Sequence, residues 1–196
     1  ALRGQTSVLS LGHSGLWLRQ GDSDAQTVIH AKRTNLDGTA LRELAGRPAT
    51  IVTFLQGLSP RVPNARQCRE MGLGLARLHL AASDFSMSRP NSLGFESWRT
   101  LWQGREAEAE ALKQGLSEKI DSDLAFVDAH RDQVKALPQG TIHADLFPDN
   151  AFFLGDRFTG IIDFYFACTD ALAYDLAICL NAWAFEPDGA FNYSKA

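Results

Sequence analysis

At 196 residues, 45% of them hydrophobic, the chain can bury one sizeable core, which excludes a disordered tail. Lys and Arg number 19 against 23 Asp and Glu, a net charge of −4 that offers no basic field, so neither nucleic acid nor an anionic membrane is expected as a partner. Cys68, Cys168 and Cys179 stand far apart with no CxxC pair, which excludes a disulfide framework or structural zinc site and points to a reducing cytoplasm.

No run of about 18 apolar residues occurs; even 171–185 is interrupted by Asp175 and Asn181, so no membrane span is expected. Residues 1–37 mix Gly, Ser, Gln and Asp with short apolar pieces and hold no helical or strand period. With neither an initiator Met nor a basic-then-apolar leader, the chain reads as a fragment without a signal peptide. The run ATIVTFL over 49–55, bounded by Gly46-Arg47-Pro48 and Gln56-Gly57, predicts a buried strand. Pro63 is expected in the first turn of a helix reaching about Ala82, with Cys68, Met71, Leu75 and Leu78 on its buried face. A loop over 83–93 precedes Trp98 and Trp102, spaced i, i+4 on one helical face. Residues 106–133 read as one or two amphipathic helices, and Pro138 to Gly140 ends the helical region. Short apolar runs follow at 141–143, 151–154 and 160–165, with a hairpin turn at Gly155 and Asp156, and 171–185 fits a buried helix. Strands at both ends of a helical middle make this a mixed α+β domain.

The segment HADLFPDN over 143–150, followed by Asp163, concentrates the chemistry. Taken singly, each residue has a plain reading: His143 in the core, Asp145 accepting backbone N–H groups, Asp149 and Asn150 capping a turn. Taken together they fit those roles badly. Burying two or three carboxylates beside a hairpin costs several kcal/mol unless a cation or a proton-transfer role offsets it. The set suits phosphoryl transfer, in which one Asp orients and deprotonates a hydroxyl while an Asn and a second Asp hold Mg²⁺ on the nucleotide phosphates.

The spacing H-x-D-x-x-x-x-N, with IIDFYF over 161–166, resembles the catalytic loop and metal-binding Asp of the protein-kinase-like superfamily, in its small-molecule branch with the choline kinases and aminoglycoside phosphotransferases. Over 46–195, with FFLGD at 152–156, GIIDFYFACTDALAYDLAICLNAW at 160–183 and NYSK at 192–195, the wording is similar to bacterial homoserine kinases of the aminoglycoside-phosphotransferase-like type. The resemblance implies a protein-kinase-like fold, mostly the helical C-terminal lobe. On it, 1–57 is a remnant of the N-terminal lobe and hinge, and 58–196 a C-terminal lobe truncated at its end. It further implies ATP-dependent phosphorylation of the L-homoserine hydroxyl, a step toward threonine. Asp145 would activate the hydroxyl and Asn150 and Asp163 would hold Mg²⁺. His143 and Asp175 would support the catalytic loop. Nucleotide would be bound by Phe54, Leu55 and Gln56 of the hinge, with Phe152 and Ile162 beneath the base.

Three parts of such a site are missing from the sequence: a glycine-rich phosphate loop, a strand Lys and a helix Glu pairing it. LGHSGL at 11–16 has two glycines but no following strand Lys, so it does not serve. Weak nucleotide binding and low turnover are therefore expected of this chain. GDSDAQT at 21–27 has codons that, read one base later, spell Gly-Ile-Pro-Thr-Pro-Lys-Pro, similar to the family's segment before the hinge. A frameshift would leave residues 1–30 without a place in the fold and poorly packed.

Other readings stay open at this point: a kinase of the same fold for aminoglycosides or choline, a Zn²⁺ or Mn²⁺ hydrolase using His143, Asp145 and Asp163, or a non-catalytic fragment. His79 is expected to be a satisfied core histidine. Cys168 and Cys179 lack basic neighbours and read as packing residues, and Glu106, Glu108 and Glu110 as a solvated helix face.

Overall fold

The computed structural model describes residues 28–29, 42–49 and 54–196. The LGHSGL and GDSDAQT stretches, most of residues 1–30, and 50–53 of the expected strand lie outside the described residues.

The first short strands are β1 (Val28–Ile29), β2 (Arg42–Leu44) and β3 (Arg47–Ala49). Five helices follow: α1 (Ala65–Ala81), α2 (Phe95–Trp102), α3 (Glu106–Leu112), α4 (Leu116–Ala129) and α5 (Arg131–Lys135). Then come β4 (Gln139–Ile142), β5 (Ala151–Leu154), β6 (Arg157–Ile161), β7 (Cys168–Ala171) and α6 (Leu172–Trp183). One sheet has the order β1-β6-β5, with β1 parallel to β6 and the β5–β6 hairpin turning at Gly155. β2 pairs with β3, and β4 with β7, both antiparallel.

α1 begins two residues later than the sequence suggests. Asn64 caps it: its side chain accepts the Gln67 N–H at 2.9 Å while Gln67 Oε1 accepts the Asn64 N–H at 3.1 Å, leaving Pro63 outside the helix. The buried face, Cys68, Met71, Leu75 and Leu78, packs with Phe153, Phe158 and Ile161 of the hairpin and Cys179 and Trp183 of α6. Each fully buried Leu or Met there stabilises the fold by about 1.5–3 kcal/mol. β7 had no signal in the sequence. Its Cys-Thr-Asp-Ala has one β-branched residue, and the strand exists because β4 pairs with it from Gln139 opposite Ala171 to Ile142 opposite Cys168. The α2–α5 segment is tied by surface pairs of Arg131 with Asp128 and Lys135 with Glu96, which contribute little in solvent, and by the Trp102 indole N–H on Asp121. No helix among the described residues is long and apolar enough to cross a membrane.

The segment after residue 53 closes onto the hairpin. Leu58 and Phe153 exchange backbone hydrogen bonds at 2.9 and 3.0 Å, and Thr159 Oγ1 donates to the Gln56 carbonyl at 2.6 Å. The close approach depends on Gly57, at φ +119°, where an added Cβ would lie 2.4 Å from the Phe153 carbonyl oxygen. Gly57→Ala is expected to destabilise by about 2–4 kcal/mol, strain plus displacement of a backbone that cannot yield cheaply, read as a lower urea midpoint at unchanged slope.

Candidate active site

β4 delivers His143 into the core, where it is fully buried. Its ring settles its own tautomer: Nδ1 accepts the Asp145 N–H at 3.3 Å, so Nε2 carries the proton and donates to the Ile162 carbonyl at 2.9 Å. Burial holds its pKa below the ordinary value, against smaller opposing effects of the Ile162 carbonyl and nearby carboxylates. A neutral imidazole with both nitrogens engaged has no lone pair for a metal. The hydrolase reading, which needs His143 as a ligand, is thereby excluded.

Asp175, on the first turns of α6, is also fully buried. Its Oδ2 accepts the His143 N–H at 2.8 Å and its Oδ1 the Ala144 N–H at 2.8 Å. Ala144 sits at φ 64°, the left-handed region that a β-carbon disfavours by about 1–2 kcal/mol. In that conformation two successive N–H groups converge on one carboxylate, a local anion cradle. His79 supplies the third contact, Nε2 to Asp175 Oδ2 at 2.9 Å. The sequence reading of His79 as a satisfied histidine holds, but its partner lies 96 positions away and no local pattern could have named it.

The loop then turns back. Leu146 is fully buried, and its carbonyl accepts the Trp183 indole N–H at 2.8 Å. Pro148–Asn150 forms a single 3-10 turn. Asn150 Nδ2 donates to the Asp145 carbonyl at 2.7 Å and to Asp145 Oδ2 at 3.2 Å. Asp145 is half-buried. Its carboxyl is pushed above the ordinary value, chiefly by burial, with the charges of Asp163 and Asp149 adding and the hydrogen bond from the Asn150 amide opposing. Asp149 is exposed, and its backbone carbonyl accepts the Ser59 hydroxyl at 2.9 Å.

Asp163 follows β6 at φ 60°, exposed, with its Oδ1 accepting the Tyr165 N–H at 3.3 Å. The alternation of the hairpin sends Ala151, Phe153 and Ile161 into the core, while Asn150, Phe152 and Ile162 share the opposite face, joined by the Ile162 N–H on the Asn150 carbonyl at 2.9 Å. Phe152 and Ile162 are half-buried there. Of the three hinge candidates, Leu55 is buried and Phe54 exposed; Gln56 is exposed, but its carbonyl already accepts Thr159. The structure thus brings His143, Asp145, Asn150 and Asp175 into one bonded network with Asp163 near it.

Trp183 lies in the core, whereas Trp98 and Trp102 are half-buried. Cys168 and Cys179 are buried thiols pushed up to about 12 by burial, neutral at any working pH and fit for packing alone. A cavity of about 340 Å³ between α1 and α6, lined mostly by apolar residues such as Met71, Leu75, Leu176 and Leu180 with His79 and Lys195 at it, does not include Asp145, Asn150 or Asp163.

The sequence profile of the phosphotransferase enzyme family matches residues 25–195. The chain belongs to that phosphotransferase family. It is 61% identical over 160 residues to a homoserine kinase of Hyphomonas neptunium, covering 82% of this chain and 49% of that protein. It is 54% identical over 159 residues to the homoserine kinase of Sinorhizobium medicae, covering 81% and 48%. The chain spans about half the length of the curated relatives it matches. Among solved structures, the macrolide 2'-phosphotransferase of Brachybacterium faecium superposes with TM-score 0.51 at 17% identity, over 81% of this chain and 54% of that one. APH(2")-IIia in its GDP and kanamycin complex gives 0.56 at 19%, over 81% and 57%. At such identities the likeness speaks for the fold, and the α+β, protein-kinase-like architecture expected of this phosphotransferase chain is the one found.

Proposed function

We propose that this chain carries the catalytic loop of an ATP-dependent homoserine kinase, which moves the γ-phosphoryl group of ATP to the side-chain hydroxyl of L-homoserine on the way to threonine. One observation carries the mechanism: Asp145, a carboxyl with raised pKa, is held on a loop whose two preceding N–H groups are fixed by a buried carboxylate. Asp145 orients the substrate hydroxyl and accepts its proton as the oxygen bonds to phosphorus and the bond to ADP breaks. His143 and Asp175 do no chemistry. They hold the loop so that Asp145 needs no rearrangement when substrate arrives.

The donor set fits Mg²⁺. Both N–H groups that Asn150 spends go to Asp145, which leaves its Oδ1 without a hydrogen bond among the described residues, and Asp163 offers an exposed carboxylate, both hard oxygen ligands. When bound, the ion supplies neutralisation of charge on the nucleotide phosphates. Phe152 and Ile162, on the same face as Asn150, provide an apolar floor for adenine, with the backbone of Phe54 to Gln56 at its edge. A reducing cytoplasm suits the three free thiols. On this reading the first 57 residues belong to the N-terminal lobe and hinge and the rest to the C-terminal lobe. Neither nucleic acid nor a membrane has a part in it.

The test is ATP-dependent phosphate transfer to L-homoserine, with choline and an aminoglycoside as controls, on this chain and on a version extended to the length of its relatives. Phosphohomoserine from the extended protein, with little from the shorter one, is the expected result. Turnover of a control without homoserine would keep the mechanism and overturn the substrate.

A further inference from the structure

We propose that Arg89 takes the α-carboxylate of the substrate; this rests on the homoserine reading above and names a residue that selects the amino acid. Homoserine is small and has three polar handles, and an enzyme that phosphorylates it in preference to a simple amino alcohol must contact the carboxylate.

Arg89 lies in the loop between α1 and α2 and is zipped to the chain that follows Asp163. The Thr169 N–H donates to its carbonyl at 2.7 Å, and its own N–H donates to Thr169 Oγ1 at 3.3 Å. Its Nη1 donates to the Tyr165 carbonyl at 2.9 Å, so the half-buried guanidinium is fixed at the residue whose N–H rests on the Asp163 carboxylate. No carboxylate pairs with it among the described residues. Asp170, on the same short segment, is already committed to Asn91 Nδ2 at 2.8 Å and the Ala171 N–H at 2.7 Å. A guanidinium has five N–H donors in a rigid fork, and one is spent, so a pair remains for a carboxylate.

The reach is right. Through the Tyr165 contacts, no more than about 10 Å separates the guanidinium from the Asp163 carboxylate. Extended homoserine spans about 5 Å from hydroxyl to carboxylate oxygens, and a hydrogen bond at each end adds about 3 Å. A substrate lying between Asp163 and Arg89 is therefore long enough to place its carboxylate on the guanidinium while its hydroxyl end lies by Asp163, whose charge acts on Asp145. The bland alternative is that Arg89 only pins the Tyr165 carbonyl.

The experiment compares L-homoserine with 3-aminopropan-1-ol, the same molecule without its carboxylate, in the extended protein and its Arg89→Met and Arg89→Lys variants. The wild type should prefer homoserine. Arg89→Met should raise the homoserine KM about 10- to 100-fold, the loss expected for a charged hydrogen-bonded pair, with kcat/KM for the amino alcohol and the KM for ATP unchanged. Arg89→Lys should recover part of the preference. An equal loss on both substrates, or no loss on homoserine, overturns the carboxylate contact while leaving the kinase reading in place. A wild type that turns over choline or an aminoglycoside but not homoserine removes that reading, and the role of Arg89 with it.

Discussion

Replacing Asp175 by alanine is expected to lower the unfolding free energy by about 4 kcal/mol, a fall in Tm of roughly 10 °C for a chain of this size. The carboxylate is fully buried and receives the His143 N–H, the Ala144 N–H and His79 Nε2, all between 2.8 and 2.9 Å. Removing it strands three donors around a fully buried position, each costing about 1–3 kcal/mol if unpaired. It also removes the support for Ala144 at φ 64°, so the loop relaxes toward ordinary backbone and the donors recover part of the loss. Because total stability is of order 5–15 kcal/mol, the variant should remain mostly folded at 25 °C, yet lose transferase activity in the extended protein.

Two companions separate the causes. Asp175→Asn keeps one acceptor oxygen but turns an NH₂ toward donors, so it should fall nearly as far as alanine. His79→Ala leaves both backbone N–H groups on Asp175 and should cost only about 1–2 kcal/mol. Thermal denaturation of all three tests this; an Asp175→Ala variant within 1 °C of the parent would mean that the cradle contributes nothing.

The 143–150 loop was legible because its candidate chemistry is local. His143, Asp145 and Asn150 fall within eight residues, and the family resemblance their spacing carries put them in one loop; the Asn150 contact on Asp145 is what the folded chain adds. The hairpin was legible because Gly155 and Asp156 separate two short apolar runs, and Gly155 takes the turn at φ 61°. What could not be read is non-local. The His79 partner lies on α6 and the Asp170 partner at Asn91, pairs that only the folded chain brings together. β7 carries no strand propensity and is made by β4. Pro63 misled by two residues because a proline in the first turn and a proline before an Asn cap look alike until the Asn64 side chain is seen on the Gln67 N–H. The contact of Thr159 on the Gln56 carbonyl, 103 positions away, was likewise invisible from sequence.

Asp145→Asn is expected to reduce phosphate transfer in the extended protein by about 10²- to 10⁴-fold, the usual loss when a positioned proton acceptor is removed. Its stability should not fall. Burial and the neighbouring charges of Asp163 and Asp149 raise the Asp145 pKa, which means that the ionised form is disfavoured in the folded chain, so neutralising it relieves a cost. The variant's amide oxygen can still accept Asn150 Nδ2, so the loop keeps its internal bond. The same shift sets the pH dependence. A base works only when deprotonated, so activity is full above its pKa and falls as pH drops through it. Because that pKa is raised, the acid limb should lie above the ordinary aspartate value near 3.8. Denaturation at constant pH and a kcat profile from pH 4 to 8 make the two readouts. Loss of activity together with a lower unfolding midpoint would assign Asp145 to holding the loop. Loss of activity at an equal or higher midpoint assigns it to the chemistry, because a residue kept at a cost to stability must act on the substrate.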